Sequence, residues 1–381
     1  MMTRRENFAA TLAHRTPDRM IVDFGGNPLS CMEGRSQEFL LSYLGYTPEK
    51  RDDAPALFGV AGRIDERILT AFDTDTRAVG KIFKPRGSTY RRISSTEYID
   101  EWGMRRVFDG RYWNIVTTPL KGAAAEDLDH YDWPDPASID SAEIDACRER
   151  AKYLFEETDY VVCAEHPVYG VFELGCWMCG FEDFMIKMAL DPDFITAFFD
   201  RILAYQKAVL SRYYGAVGPY IHYTSSGDDF ATQRSLFVSR SMWREMVAPY
   251  YKERIAFTKK FTKASYLHHS CGAVSPLVPD LIDCGVEILN PIQPRAEGMA
   301  PGRLKAAYGD RVVFHGGLDT QDVLPHGTSA DVDREVQKTV EALNVNGGYI
   351  FAAAHNIQED VPPENVAQML LSAKKYGERR E

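Results

Sequence analysis

Two stretches far apart in the chain end in residues able to bind a metal. The first, Ala264 to Gly272, reads ASYLHHSCG, an apolar run of β type that delivers His269 and Cys271 two residues apart. Alternate residues of a strand point to the same side, so both can face one ion. The second, Tyr349 to Gln358, reads YIFAAAHNIQ; it follows Gly347 and Gly348 and stops in His355 and Asn356. His355 is the candidate third ligand. Two imidazole nitrogens and a thiolate suit zinc, and an open fourth position distinguishes a catalytic zinc from a structural one. The motif is short, and a buried histidine packed beside a buried thiol accounts for the same residues without a metal.

The elements that would carry these residues are regular from Tyr160 onward, where apolar β-type runs alternate with long helical segments. The runs are YVVCAE (160–165), YIHYTS (220–225), ASYLHH (264–269), VEILNP (286–291), RVVFHG (311–316) and GYIFAAA (348–354). Together with MIVDFGG near the N-terminus and one strand hidden between residues 75 and 120, they sum to eight. That number predicts an α/β fold, a (β/α)₈ barrel with N-terminal additions and residues 1–381 in a single domain. Residues 77–120 read as short strands and turns (GKIFKP, YRRIS, MRRVFDGRYWNIVTT), a β-meander insertion. Asp191-Pro192 caps a helix, Ser239 or Ser241 caps another that Pro249 should kink, Thr328-x-x-Asp331 forms a capping box, and Pro362-Pro363 opens the last helix.

In such a barrel the chemistry lies where strands end, at the C-terminal mouth. Polar and ligand-type residues stand at nearly every such end: Asp23, Glu165 with His166, Asp228 with Asp229, His269 with Cys271, Asn290, His315 and His355. This recurrence favours an enzyme.

With 44 basic and 55 acidic residues the net charge is -11, which argues against nucleic acid or an anionic membrane as the main partner. The polar, charged N-terminus and the lack of an apolar run of spanning length predict a soluble, cytoplasmic protein. The 7 cysteines are scattered, which predicts reduced thiols. Cys176-x-x-Cys179 reads as a packing pair on a helix face rather than a metal or redox motif.

Most of the chain resembles the uroporphyrinogen decarboxylase superfamily, which includes the decarboxylase and zinc-dependent corrinoid methyltransferases. The resemblance is carried by MTRRENFAATLAHRTPDRMIVDFGG, by HSCG at 269–272, by VEILNPIQ followed by LKAAYGDRVVFHGGLD, by Gly327-Thr328 and by AAAHNIQEDVPPENV. The decarboxylase branch has an arginine-rich segment after the first strand that grips its polycarboxylate substrate; here that place reads FGGNPLS. HSCG is similar to the zinc-binding H-x-C of the methyltransferase branch. The third ligand of that branch is typically a cysteine, and His355 stands here instead.

The resemblance therefore implies methyl transfer between a small-molecule donor or acceptor and a corrinoid carried by a partner protein. Zinc would sit on His269, Cys271 and His355, with Asp228 and Asp229 orienting substrate or moving a proton; an Asx-type cap ahead of the next helix explains the same two residues. Glu173, Gln233, Asn290 and His315 are the expected substrate contacts. Tetrapyrrole decarboxylation without a metal is the alternative activity, and a non-catalytic small-molecule-binding barrel is the third. Such barrels often pair, so a homodimer is compatible with the resemblance.

Overall fold

A computed structural model describes residues 1–49, 63–80, 90–110 and 112–378. Its strands, in chain order, are β1 (Ile21–Val22), β2 (Thr76–Ala78), β3 (Arg91–Ser94), β4 (Glu97–Ile99), β5 (Arg105–Phe108), β6 (Trp113–Thr117), β7 (Val161–Glu165), β8 (Tyr223–Gly227), β9 (Ser265–His269), β10 (Ile288–Asn290), β11 (Val313–His315) and β12 (Tyr349–Phe351). Eight form one parallel sheet in the order β1-β12-β11-β10-β9-β8-β7-β2. Parallel strands joined through helices are buried on both faces, which is why their sequences are apolar throughout rather than alternating. The structure is the nearly closed (β/α)₈ barrel that the strand count predicts.

The seam lies between β1 and β2, which share no ladder. Asp75 fastens it. Its N–H donates to the Val22 carbonyl at 3.1 Å and its carboxylate accepts from the Val22 N–H at 2.9 Å. Its own carbonyl receives the Val161 N–H at 2.9 Å, so one residue ties β1 to β7 across the gap. Arg19 pairs with the Asp75 carboxylate, which is buried.

The hidden strand is β2, and the insertion beyond it is a separate antiparallel sheet, β3-β4-β5-β6. Of the predicted short strands, GKIFKP falls largely outside the described residues. Helix signals match closely. Asp191 caps the helix Pro192–Val217, accepting from the Phe194 N–H at 3.1 Å. Thr328 and Asp331 form the capping box of the helix Ser329–Leu343. Ser239 is the N-cap of the helix that carries Pro249, and one π-helical stretch, Trp243–Val247, stands directly before the proline. A wide turn there accommodates the ring and the missing N–H. No helix among the described residues is long and apolar enough to cross a membrane.

Candidate metal centre and cleft

The register of the barrel sets three polar residues in a row across its mouth. Gly227 lies beside His269, His269 beside Asn290, and Leu289 beside Phe314, so that Asn290 neighbours His315. Adjacent strands run about 4.8 Å apart, so side chains of this length reach sideways to one another. His269 Nδ1 lies 2.6 Å from Asn290 Oδ1, Asn290 Nδ2 lies 2.7 Å from His315 Nδ1, and His315 Nε2 lies 2.8 Å from Asp23 Oδ2.

This chain of bonds assigns the protons. Asn290 Oδ1 can only accept, so His269 carries its proton on Nδ1. Asn290 Nδ2 can only donate, so His315 Nδ1 accepts and its Nε2–H donates to Asp23. His269 Nε2 is the ring nitrogen left on the side away from Asn290. Asp23 anchors the far end. Burial pushes its carboxyl up, but bonds with His315, Thr76 and Tyr223 overcome that and hold it below its usual value. The Asn27 amide, the Gly26 N–H and the Ser30 hydroxyl also donate to it.

His269 Nε2 is hydrogen-bonded to Cys271 Sγ at 3.3 Å, and the His269 and His355 rings are 5.8 Å apart between centroids. One ligand atom from each of His269, Cys271 and His355 falls within 4.8 Å of the others. Three donor atoms this close can share one ion. Burial, then the neighbouring His269, lowers His355 to about 4, so its imidazole is neutral and able to coordinate near pH 7. Burial, then Asp229 and Glu173, pushes the Cys271 thiol well above its ordinary value. Without a cation the sulfur keeps its proton; a metal would displace it. The donor set and its hydrogen-bonded support therefore fit zinc.

Gly272 lets the chain turn immediately after Cys271. Its φ is +86°, and a Cβ there would stand 2.4 Å from the Thr232 carbonyl oxygen. Its N–H donates to Gln293 Oε1 at 2.8 Å, while Gln293 Nε2 donates to Cys271 Sγ at 3.4 Å. Gln293 is not among the residues expected from sequence; a glutamine in the loop after a strand has no distinguishing pattern.

The other expected residues divide by position. Asp229 lines the cleft, accepts the Cys271 N–H at 2.7 Å, and reaches within 3.8 Å of His269 Nε2. Asp228 is fully buried, turned to the N-terminus of the helix Val171–Cys179, where it accepts from Phe172 N at 3.2 Å and Glu173 N at 2.8 Å. Its position is that of a helix anchor, not of a cleft acid. Gly170 makes room for it, since a Cβ there would meet the carboxyl carbon at 2.0 Å. Burial raises Asp228 to about 7 against the pull of Arg254 and those N–H groups. Glu173 lines the cleft. Asn290 and His315 stand behind His269, joined to it by the bonds above, and do not line the cavity, and Gln233 is exposed, bonded to Gln293 Oε1 at 2.9 Å.

The cavity beside the centre measures about 410 Å³. Barrel strand ends supply Glu165, His166 and Ser225 to Gly227; the insertion supplies Tyr112 and Trp113 as a roof. Tyr169 and Trp177 meet at a corner, 5.0 Å between centroids and 75° between planes. Burial pushes the Glu165 and Glu173 carboxyls well above their ordinary values, and for Glu173 the charges of Asp229 and Asp228 add to it. Burial, then Arg254, lowers His166. Cys176 and Cys179 are buried in the hydrophobic core, as the sequence predicts.

Among solved structures, a methyltransferase from Methanosarcina mazei is similar over 99% of both chains, with a TM-score of 0.66 and 16% identity, which shows the fold alone. Among curated proteins, a uroporphyrinogen decarboxylase of Pseudoalteromonas atlantica is 32% identical over 73 residues and one of Pelodictyon phaeoclathratiforme 27% identical over 135. These alignments span 20% and 36% of those relatives. The family model described as Uroporphyrinogen decarboxylase (URO-D) matches residues 115–376, from β6 to the last helix, and the chain thus belongs to the uroporphyrinogen decarboxylase family.

Proposed function

We propose that this protein is a zinc-dependent methyltransferase or demethylase component that exchanges a methyl group with the corrinoid of a partner protein. The observation that carries this reading is the meeting of His269, Cys271 and His355 at one point, with His269 held in the tautomer a metal needs.

His269 Nε2, Cys271 Sγ and a ring nitrogen of His355 would hold the metal. Zinc bound there would act as a Lewis acid, lowering the pKa of a coordinated thiol or polarising the heteroatom of a methyl donor. The chain's own residues prepare that site. The Asp23–His315–Asn290 relay fixes the His269 ring and its proton. Gln293 aims Cys271. Asp229, on the cleft side of the same loop, is placed to orient a substrate or to take a proton from it. The insertion roof restricts water at the reacting atoms.

The family description and the curated relatives favour a second reading, decarboxylation of a tetrapyrrole. The cavity lining is ill matched to it, because it offers such a substrate no cation. Glu33, Glu165, Glu173 and Asp229 line the walls, and no lysine or arginine does among the described residues. A polycarboxylate substrate needs the reverse. Metal analysis of full-length protein prepared without chelator should give one zinc per chain; absence of metal together with failure to take up added zinc overturns the reading. Release of carbon dioxide from uroporphyrinogen would establish the alternative.

A further inference from the structure

The cavity has a definite chemical character that the metal centre does not explain. Four aromatic residues, Tyr112, Trp113, Tyr169 and Trp177, line it together with the carboxyls of Glu165 and Glu173. Glu165 is the telling one. It sits at the end of β7, and no hydrogen bond or ion pair to its side chain exists among the described residues. A half-buried carboxyl group in a cavity wall is costly to leave charged without a partner.

No lysine or arginine lines the cavity among the described residues, so no cationic side chain of the chain faces this carboxyl there. The Arg106 guanidinium stacks 5.7 Å over the Trp177 ring, but it is paired with Asp100 at 2.7 Å and does not line the cavity. Glu165 thus has no partner within the chain and is open to one that enters from the cleft.

The walls limit what that can be. The walls join aromatic faces to carboxyl groups, a pairing that suits a cation carrying apolar substituents. A quaternary ammonium has no N–H to satisfy and sheds its weak hydration readily, and aromatic faces joined to a carboxylate are the surroundings that recognise it. Tyr169 and Trp177, packed edge to face at 75°, line the cavity together as part of that aromatic wall.

We propose that the cavity recognises a small methylated ammonium compound, seated in the Tyr169–Trp177 corner with Glu165 as its counter-ion. The fate of the bound compound rests on the methyl-transfer reading, since such a compound carries the methyl group to be moved; recognition itself does not require metal.

Isothermal titration of the full chain, metal-free and zinc-loaded, tests it with choline and with 3,3-dimethyl-1-butanol, which has the same shape with carbon in place of the charged nitrogen. Choline should bind the metal-free chain at least about tenfold tighter than the alcohol, and Trp177→Leu and Glu165→Gln should each cut that preference about tenfold. Equal affinity for the two compounds overturns the proposal, as does a preference for an anion such as 3,3-dimethylbutyrate. Because wild-type protein alone decides between choline and the alcohol, a poorly folded variant leaves the test intact. Absence of zinc with choline preference intact would overturn the metal reading and spare this one.

Discussion

Replacement of Asn290 by alanine separates the support of the metal centre from the ligands themselves. The side chain makes two hydrogen bonds, 2.6 Å to His269 Nδ1 and 2.7 Å to His315 Nδ1, and all three residues are buried. Asn290→Ala leaves one ring donor and one ring acceptor without partners, each costing roughly 1–3 kcal/mol. Metal-free protein should therefore lose ~2–6 kcal/mol, the lower end if water fills the space left. The His269 ring, no longer held, also loses its tautomer preference, and zinc affinity should fall roughly 10- to 100-fold, or about 1.4–2.7 kcal/mol. Asn290→Asp makes the complementary change. The new carboxylate still accepts the His269 Nδ1–H but offers no donor to His315, so zinc affinity should stay within about threefold of wild type while metal-free stability falls. Competition for zinc against a chromogenic chelator, alongside urea unfolding, reads both quantities. If the alanine variant binds zinc as tightly as wild type, or the aspartate variant loses as much as the alanine one, the relay does not serve the metal.

Zinc affinity should rise about tenfold per pH unit from roughly pH 5 to 8, because Cys271 holds its proton across that range and one proton leaves for each ion bound; below about 4 the dependence should steepen as His355 also protonates. A flat chelator-competition profile would show that Cys271 is not a ligand. Asp228→Asn keeps an acceptor for only one of the two N–H groups at the start of the helix Val171–Cys179, so thermal unfolding should show a loss of ~1–2 kcal/mol while zinc content stays at one per chain. Gly272→Ala forces a side chain onto the Thr232 carbonyl at a φ of +86°; the strain of roughly 1–3 kcal/mol should appear in urea unfolding, and displacement of the adjacent sulfur should weaken zinc binding.

Sequence legibility tracks the physics of each element. Strands buried on both faces announce themselves as apolar runs, and the six barrel strands from Val161 onward do so. β2 does not, because its centre is Arg77, a buried cation that pairs with Glu66 and stacks on Tyr160. Helix starts are readable because capping is a local interaction. At the site, residue type makes His269, Cys271 and His355 candidates at once. Asp228 and Asp229 cannot be separated by sequence: neighbours in a loop after a strand can turn to opposite sides, and only the helix N-terminus that one of them meets explains the difference. The aromatic roof is equally hidden, since nothing in residues 112–113 tells over which part of the barrel the insertion folds.

A hoop closed by main-chain ladders all round except at one joint should part first at that joint. Between β1 and β2 the main-chain joint is a single residue, Asp75, backed by the Thr76 hydroxyl on Asp23, so amide exchange at Val22 should be faster than at the strands on the opposite wall, where both neighbours are laddered. Asp23, the last member of the relay that holds His269, comes directly after Val22. Any breathing of the seam would therefore reach the imidazole proposed to hold the ion, and strengthening that joint offers a handle on the candidate centre from outside its immediate surroundings.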